Sequence, residues 1–254
     1  MKILKSLCSA FLMYSRIPVP KVEWSDENRK FSLIFFPFIG IVTGGLLVLW
    51  FWLSKKLFVN SLLFSAVSCV IPILISGGIH LDGFCDVVHA QSSCAPREKK
   101  LEIMSDPHIG SFAAISLGAF FLMQLGLFSC VNSMRAAGVV ALGYALSRTL
   151  SAFAAITFKS AKSEGSLQNF VKPADKRASI IALSIFLALI AAGMMLVDLF
   201  YGAGALIAAA VCFAFYRVFS YRNFGGITGD LAGFFLQICE LAVLFGVAVV
   251  EIIS

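Results

Sequence analysis

Residues 31–53 read FSLIFFPFIGIVTGGLLVLWFWL, twenty-three consecutive positions without one ionisable side chain. At 1.5 Å per residue, a helix of that length crosses the roughly 30 Å hydrocarbon core of a bilayer. A helix that is apolar on every face belongs in lipid or in the centre of a large core. Six further stretches are predominantly apolar over a comparable length: 58–79, 109–131, 136–158, 179–200, 202–220 and 231–253. A turn at Tyr201-Gly202 is expected to divide the fifth from the sixth, which is the shortest. The pattern predicts an all-α fold, a polytopic membrane helix bundle of about seven transmembrane helices forming a single integral membrane domain over residues 1–254.

Composition points the same way. Of 254 residues 59% are hydrophobic and 13% charged, with a mean hydropathy of +0.92, where a soluble domain is roughly 25% charged. The bilayer is therefore the first expected partner. A formal charge of +6 could suggest nucleic acid in a soluble protein. Here the cations are explained by the membrane, because they flank the spans on one side. With the N-terminus inside, sixteen of the twenty Lys and Arg fall in inner segments and only Lys55, Lys56 and Arg135 in outer ones, with Arg148 inside a span. The polar segments 80–108, 159–178 and 221–230 then lie on the cytoplasmic side, and chemistry is to be sought there. Nucleic acid is excluded as a partner.

The N-terminus reads differently. Ile3, Leu4, Leu7, Cys8, Phe11 and Leu12 form one helical stripe, with Lys2, Lys5, Ser6 and Ser9 opposite. This run is too short to span, and no small-residue cleavage site follows it, so it is read as an interfacial helix rather than a signal peptide. Seven cysteines without a C-x-x-C pair support neither a disulfide framework nor a zinc site.

The stretch richest in chemistry is Gly77-Gly78-Ile79-His80-Leu81-Asp82-Gly83-Phe84-Cys85-Asp86-Val87-Val88-His89. On a helix, Asp82, Asp86 and His89 share one face at i, i+4 and i+7. Two neighbouring carboxylates repel unless a cation lies between them, and Mg²⁺ commonly uses one or two carboxylates plus phosphate oxygens. An ordinary acidic loop is the plain alternative. In 96–110, Pro96 suits a first helical turn, and Glu98, Glu102 and Asp106 step by four, as a solvated amphipathic helix would. Asp106 stands out because Pro107 stops the helix beside it. Gly225-Gly226-Ile227-Thr228-Gly229-Asp230 is a glycine-rich turn into the last span, of a kind whose backbone N–H groups can hold phosphate or that simply connects. Arg148 and Glu240 lie inside spans, where an ionisable group needs a partner. They either pair to orient helices or contact an anionic substrate.

Taken together these segments resemble the cobalamin synthase family, the adenosylcobinamide-GDP ribazoletransferases. The matching pieces are Ser15-Arg16-Ile17-Pro18-Val19-Pro20, Phe35-Phe36-Pro37 with Gly40, and Gly77 to Gly83 with Asp86. They continue through Leu101-Glu102-Ile103-Met104 with Asp106, Ile109 and Gly110, then Ser147-Arg148, Glu164-Gly165 and Gly225 to Asp230. The resemblance implies that α-ribazole or its 5′-phosphate attacks adenosylcobinamide-GDP, with GMP leaving, in the cytoplasmic (inner) membrane of a prokaryote. It implies Mg²⁺ as cofactor, with Asp82, Asp86 and Asp106 as candidate ligands. His80, Asp82 and Asp86 are the candidate catalytic groups, with His80 or an adjacent carboxylate taking the hydroxyl proton. His89, Arg148, Asp230 and Glu240 are the candidate substrate contacts, and a second copy of the chain is a candidate partner. Two departures stand out: His89-Ala90 occupies the place of the family's usual third Asp and following Gly, and Ser166-Leu167 replaces its usual glycine-containing turn.

Two rival readings are weighed. A CDP-alcohol phosphotransferase needs Asp-Gly-x-x-Ala-Arg, whereas this chain continues Asp82-Gly83-Phe84-Cys85-Asp86-Val87. A secondary transporter predicts paired repeats and midplane charge in several spans, and only Arg148 and Glu240 fit that.

Overall fold

The computed structural model describes residues 2–165 and 167–253, so the Ser166-Leu167 departure lies partly outside the described residues. Twelve helices follow in order: α1 (Lys2–Tyr14), α2 (Asp26–Arg29), α3 (Ser32–Lys56), α4 (Ser61–Ser76), α5 (Ile79–Ser92), α6 (Arg97–Ile103), α7 (Ser111–Ser129), α8 (Met134–Thr157), α9 (Gln168–Val171), α10 (Lys176–Val197), α11 (Leu199–Phe224) and α12 (Gly229–Ile253). Among the described residues the one strand-like contact is a parallel bridge between Ser160 and Ile227.

Among the described residues six helices, α3, α7, α8, α10, α11 and α12, are long and apolar enough to cross a membrane, and the bent pair α4–α5 brings the count to seven if it is taken as one crossing. We read α4 as that crossing. At its end Gly77 and Gly78 take φ of 68° and 83°, a left-handed pair that side chains with a Cβ rarely adopt. The chain turns by 97° there, so α5 departs sharply from the axis of α4. Arg16 packs over this corner: a Cβ on Gly77 would sit 2.4 Å from its Nε, and its N–H donates to the Ile75 carbonyl at 2.7 Å.

The loops sort by end. The Asp175 N–H donates to the Lys30 carbonyl and the Ala161 N–H to that of Ile227. The Lys162 ammonium reaches Ser105 Oγ at 2.8 Å, and that of Lys100 reaches Asn223 Oδ1 at 3.3 Å. Segments 16–30, 77–110, 159–175 and 221–230 are thereby gathered at one end. At the other end Ser61 meets Ser129, and Arg135 meets Asp198.

At the centre stands α8, whose apolar stretch is 89% buried. Its Ala, Gly and Ser content allows close packing where lipid gives helices no hydrophobic reason to associate. It crosses α3 at Gly40 and Gly44, where an added Cβ would lie 2.3 Å from the carbonyl oxygens of Tyr144 and Ala141 respectively. The outward faces carry exposed Ile41, Leu49, Leu122, Ile185, Leu189 and Val211, as a lipid-facing surface should.

Two expectations are corrected, at the break between the fifth and sixth spans and at Pro96. The break between the fifth and sixth spans is at Asp198, not Tyr201-Gly202. Its carboxylate caps the N–H groups of Phe200 and Tyr201, so α11 starts earlier and, at 26 residues, is the longest helix rather than the shortest span. On α1 the small face packs inward: Ser6, Ser9 and Ala10 are fully buried, while Ile3 and Leu4 point outward at 65% and 64% exposure. The bulky residues are thus left for the interface. Pro96 is the N-cap of α6 rather than part of its first turn, and that helix ends at Ile103, three residues before Asp106.

The α3–α8 crossing yields a paired test. Gly40→Ala should lower the thermal midpoint of detergent-purified protein or abolish its accumulation. Gly45→Ala, where an added Cβ meets nothing within 4 Å, should leave the midpoint unchanged.

Candidate active site

The site begins with a helix crossing. Gly83 of α5 faces the first turn of α12 so closely that a Cβ there would sit 2.7 Å from the Asp230 carbonyl oxygen. Gly233 of α12 lies in turn against the backbone of His80. Phe84 fixes the crossing, stacked on Phe234 at 5.8 Å and packed on Phe120 of α7 at 5.2 Å. Asp82 and Asp86 on α5 are thus brought within electrostatic reach of Asp230 on α12.

Two cavities meet here. The larger, about 650 Å³, is lined by Asp82, Asp86 and His89 together with Arg16, His108 and the Gly77-Gly78 corner. The expected i, i+4, i+7 face is therefore a cavity wall. The smaller, about 250 Å³, is lined by Tyr14, Phe36, His80 and Leu236, and also by Asp82 and Asp230. Asp82 belongs to both.

Electrostatics marks the same point. Burial, then the charges of Asp82 and Asp230, push the Asp86 carboxyl up to about 7. Three carboxylates converge without enough positive charge between them, which is the chemistry of a donor set suited to a hard divalent cation. Among the described residues no three His, Cys, Asp or Glu side chains close around one point as a complete metal cage. Asp82 and Asp86, one helical turn apart, are the two carboxylates of the larger cavity that could hold a cation.

The other expected residues fall in different places. Asp106 is not brought to Asp82 and Asp86 as a third ligand. It is exposed in the turn after α6, where it accepts from the His108 backbone N–H at 3.0 Å and contacts Nδ1 at 2.6 Å, and these contacts lower its pKa. His80 faces the smaller cavity, 5% exposed. Burial, and then the Arg148 charge, push its pKa down to about 3, so it is a neutral imidazole and a weak base. His89 rests on Gly110, where a Cβ would collide with Nδ1 at 2.0 Å. That gives the motif glycine a steric reason.

Arg148 and Glu240 line neither of these two cavities. The expectation that they touch substrate gives way to an ion pair of 2.6 Å between α8 and α12, with the side chains 1% and 4% exposed. Ser147 Oγ adds a bond to the same carboxylate oxygen at 3.1 Å. The glycine-rich turn also differs from a phosphate cradle. The Gly226 N–H donates to the Ser220 carbonyl and the Ile227 N–H to that of Lys159, while Thr228 Oγ1 caps the Leu231 N–H. Its glycines serve packing: a Cβ on Gly225 would strike the Arg97 guanidinium, and one on Gly226 the Lys159 carbonyl. Glu164 is exposed.

Two cations at the site were given no role from the sequence. Arg16 lines the larger cavity, and Lys162 acts on Asp230. The signal for Arg16 was its place in the Ser15–Pro20 motif. Lys162 carried no local signal, because it reaches Asp230 from a distant loop.

With this geometry established, relatives can be compared. A family model described as Cobalamin-5-phosphate synthase matches residues 6–248. A Lachnoclostridium phytofermentans protein named adenosylcobinamide-GDP ribazoletransferase is 42% identical over 251 residues, covering 99% of this chain and 96% of its own length. Proteins of that name from Clostridium botulinum (Alaska E43) and Treponema denticola are each 32% identical, covering 96% and 95% of this chain and 96% of their own lengths. No solved structure matches.

The buried pair predicts non-additivity. Removing one partner of a buried ion pair costs about 3–5 kcal/mol, whereas replacing both by apolar residues can be near neutral. Arg148→Met and Glu240→Met should each lower the thermal midpoint sharply, and the double variant should recover at least half of the loss.

Proposed function

The chain belongs to the cobalamin-5-phosphate synthase family, and we propose that it performs its reaction at the boundary between the two cavities, around Asp82. It is an adenosylcobinamide-GDP ribazoletransferase, a transferase of a late step in cobalamin biosynthesis. A ribazole hydroxyl oxygen attacks the phosphorus bonded to the cobinamide side. The new O–P bond forms, the bridging P–O bond breaks, and GMP leaves with the bridging oxygen. The hydroxyl proton must go to a base.

The observation that carries this reading is the convergence of Asp82, Asp86 and Asp230 where the two cavities meet. Phosphoryl transfer asks little of side chains beyond positioning and charge neutralisation. Asp82 and Asp86 are the residues that would hold Mg²⁺, which when bound neutralises diphosphate charge and stabilises the leaving phosphate. Arg16 and His89 face the same cavity and suit phosphate oxygens, as donors of charge and of a hydrogen bond. Asp230, arriving from the other helix, is the carboxylate left to accept the hydroxyl proton. His80, buried and neutral, is not given that role. Arg148 and Glu240 hold helices together, and their pairing also removes the midplane charge that a transporter would use.

We assign the site-bearing end to the cytosol and the chain to the cytoplasmic membrane of a bacterium. Sixteen cations against three favour that orientation, and polar nucleotide substrates are supplied there.

Three outcomes test this reading. Purified wild-type protein should release GMP from adenosylcobinamide-GDP and α-ribazole, and Asp82→Asn should lose at least a hundredfold while still folding; an Asp82→Asn protein of normal turnover removes Asp82 from the chemistry. Because Asp86 holds its proton up to about pH 7, Mg²⁺ must displace that proton below this pH. Apparent Mg²⁺ affinity in the GMP assay should fall by up to about tenfold per unit as pH drops below 7 and level off above it; a flat profile contradicts the assignment. In intact cells, with Cys94 and Cys130 replaced, an impermeant thiol reagent should label Asn132→Cys and spare Gln91→Cys. The reverse pattern inverts the orientation.

A further inference from the structure

The two cavities differ in electrical character. Arg16, His89 and His108 line the larger one beside Asp82 and Asp86. Among the described residues no Lys or Arg lines the smaller one, and its only charged groups are Asp82 and Asp230. A diphosphate would be repelled from a chamber whose charge is wholly negative, whereas a neutral nucleoside base would not. At about 250 Å³ the smaller chamber also falls below the roughly 300–1,000 Å³ of drug-sized ligand sites. It is far too small for a nucleotide-linked corrinoid.

Its walls suit a flat aromatic ring. Tyr14 and Phe36 lie with ring centroids 4.4 Å apart at 41°, and the Phe36 ring meets His80 edge-on at 5.9 Å. Leu33 and Leu236 complete an apolar lining, both nearly fully buried. Within this lining, one polar atom has no partner. His80 is 95% buried, its residual exposure being 5%, and its Nε2 makes no hydrogen bond to protein. Buried polar atoms normally have a partner, and one left unmade is costly. An unpaired buried nitrogen on a residue that lines a chamber of this size points to a small ligand group that supplies the missing bond.

We propose that the smaller cavity is the acceptor subsite, taking the aromatic base of the ribazole with His80 Nε2 as its hydrogen-bonding contact, while the larger cavity takes the diphosphate donor. This rests on the transferase reading above. The shared wall then has a purpose. An acceptor seated by its base places its ribose toward Asp82 and Asp230, beside the donor's phosphorus. That is the positioning on which an in-line transfer depends. His80 acts in this account as a positioning residue, not as the base.

The test separates the two substrates. In the GMP-release assay, His80→Leu, which keeps volume but removes the nitrogen, should raise the KM for α-ribazole at least tenfold. The KM for adenosylcobinamide-GDP should stay within about twofold. His80→Gln, which retains a hydrogen-bonding group, should fall between wild type and His80→Leu. Ala152→Leu, which intrudes into the same chamber, should act in the same direction. If that variant fails to fold, the His80 pair decides the matter. Calorimetric titration of detergent-purified protein with α-ribazole alone should show binding to wild type and at least tenfold weaker binding to His80→Leu. An unshifted ribazole KM in His80→Leu, or an equal rise in both KM values, overturns the subsite. Failure of the wild-type protein to release any GMP would instead overturn the transferase reading, so the two failures are distinguishable.

Discussion

Asp82 and Asp86 stand one turn apart on α5, and Asp230 faces them from the head of α12 across a crossing with no room for a Cβ at Gly83. Burial, and then the like charges of Asp82 and Asp230, push the Asp86 carboxyl up to about 7, so the ionised form of this group is costly unless something neutralises it. The crossing is maintained by apolar forces that do not depend on the carboxylates: Phe84 stacked on Phe234 and packed on Phe120, and Gly233 against the His80 backbone. Packing therefore holds the carboxylates near one another, and the cation proposed above would offset their repulsion.

The rest of the bundle serves to keep α5 and α12 where they are. α8 runs through the centre and is tied to α12 by Arg148 and Glu240, and to α3 by the glycine contacts at Gly40 and Gly44. The Gly77-Gly78 corner turns α5 away from the axis of α4, and its acidic face lines a cavity. Arg16, packed over that corner, ties the loop after α1 to the site. The loops from 159 to 162 and from 225 to 228 are bonded to each other, and through them Lys162 is brought toward Asp230. In this way residues from four separated parts of the sequence face one another at one end of the molecule.

Much of this was legible in the sequence, for physical reasons. Apolar length gives spans because lipid accepts no unpaired backbone, and a period of four puts Asp82, Asp86 and His89 on one wall. The family resemblance was carried by motifs in order, and the comparisons bear it out. What local pattern could not reveal were contacts between distant segments. Asp106 stood out because Pro107 stops a helix beside it, yet the helix ends earlier and the carboxylate folds onto His108. Arg148 and Glu240, 92 residues apart, were each read as a pair or a substrate contact, and only tertiary structure makes them partners. The glycines of 225–229 suggested phosphate, but the N–H groups of Gly225 and Gly226 donate to the Tyr221 and Ser220 carbonyls, and Ile227 pairs with 159–161. The α1 stripe was legible as a short helix, while the inward packing of its small residues Ser6, Ser9 and Ala10 depends on contacts with distant segments.

Packing brings Asp82, Asp86 and Asp230 within electrostatic reach of one another, and the proposed divalent cation would relieve their repulsion. The most direct measurement is the thermal midpoint of detergent-purified protein at pH 8, with and without Mg²⁺, for wild type and Asp86→Asn. Without Mg²⁺ the variant should melt higher than wild type, because one of the repelling charges has gone. Mg²⁺ should raise the wild-type midpoint by a few degrees and leave that of the variant nearly unmoved. A wild-type midpoint indifferent to Mg²⁺, or an equal rise in both proteins, would contradict the account.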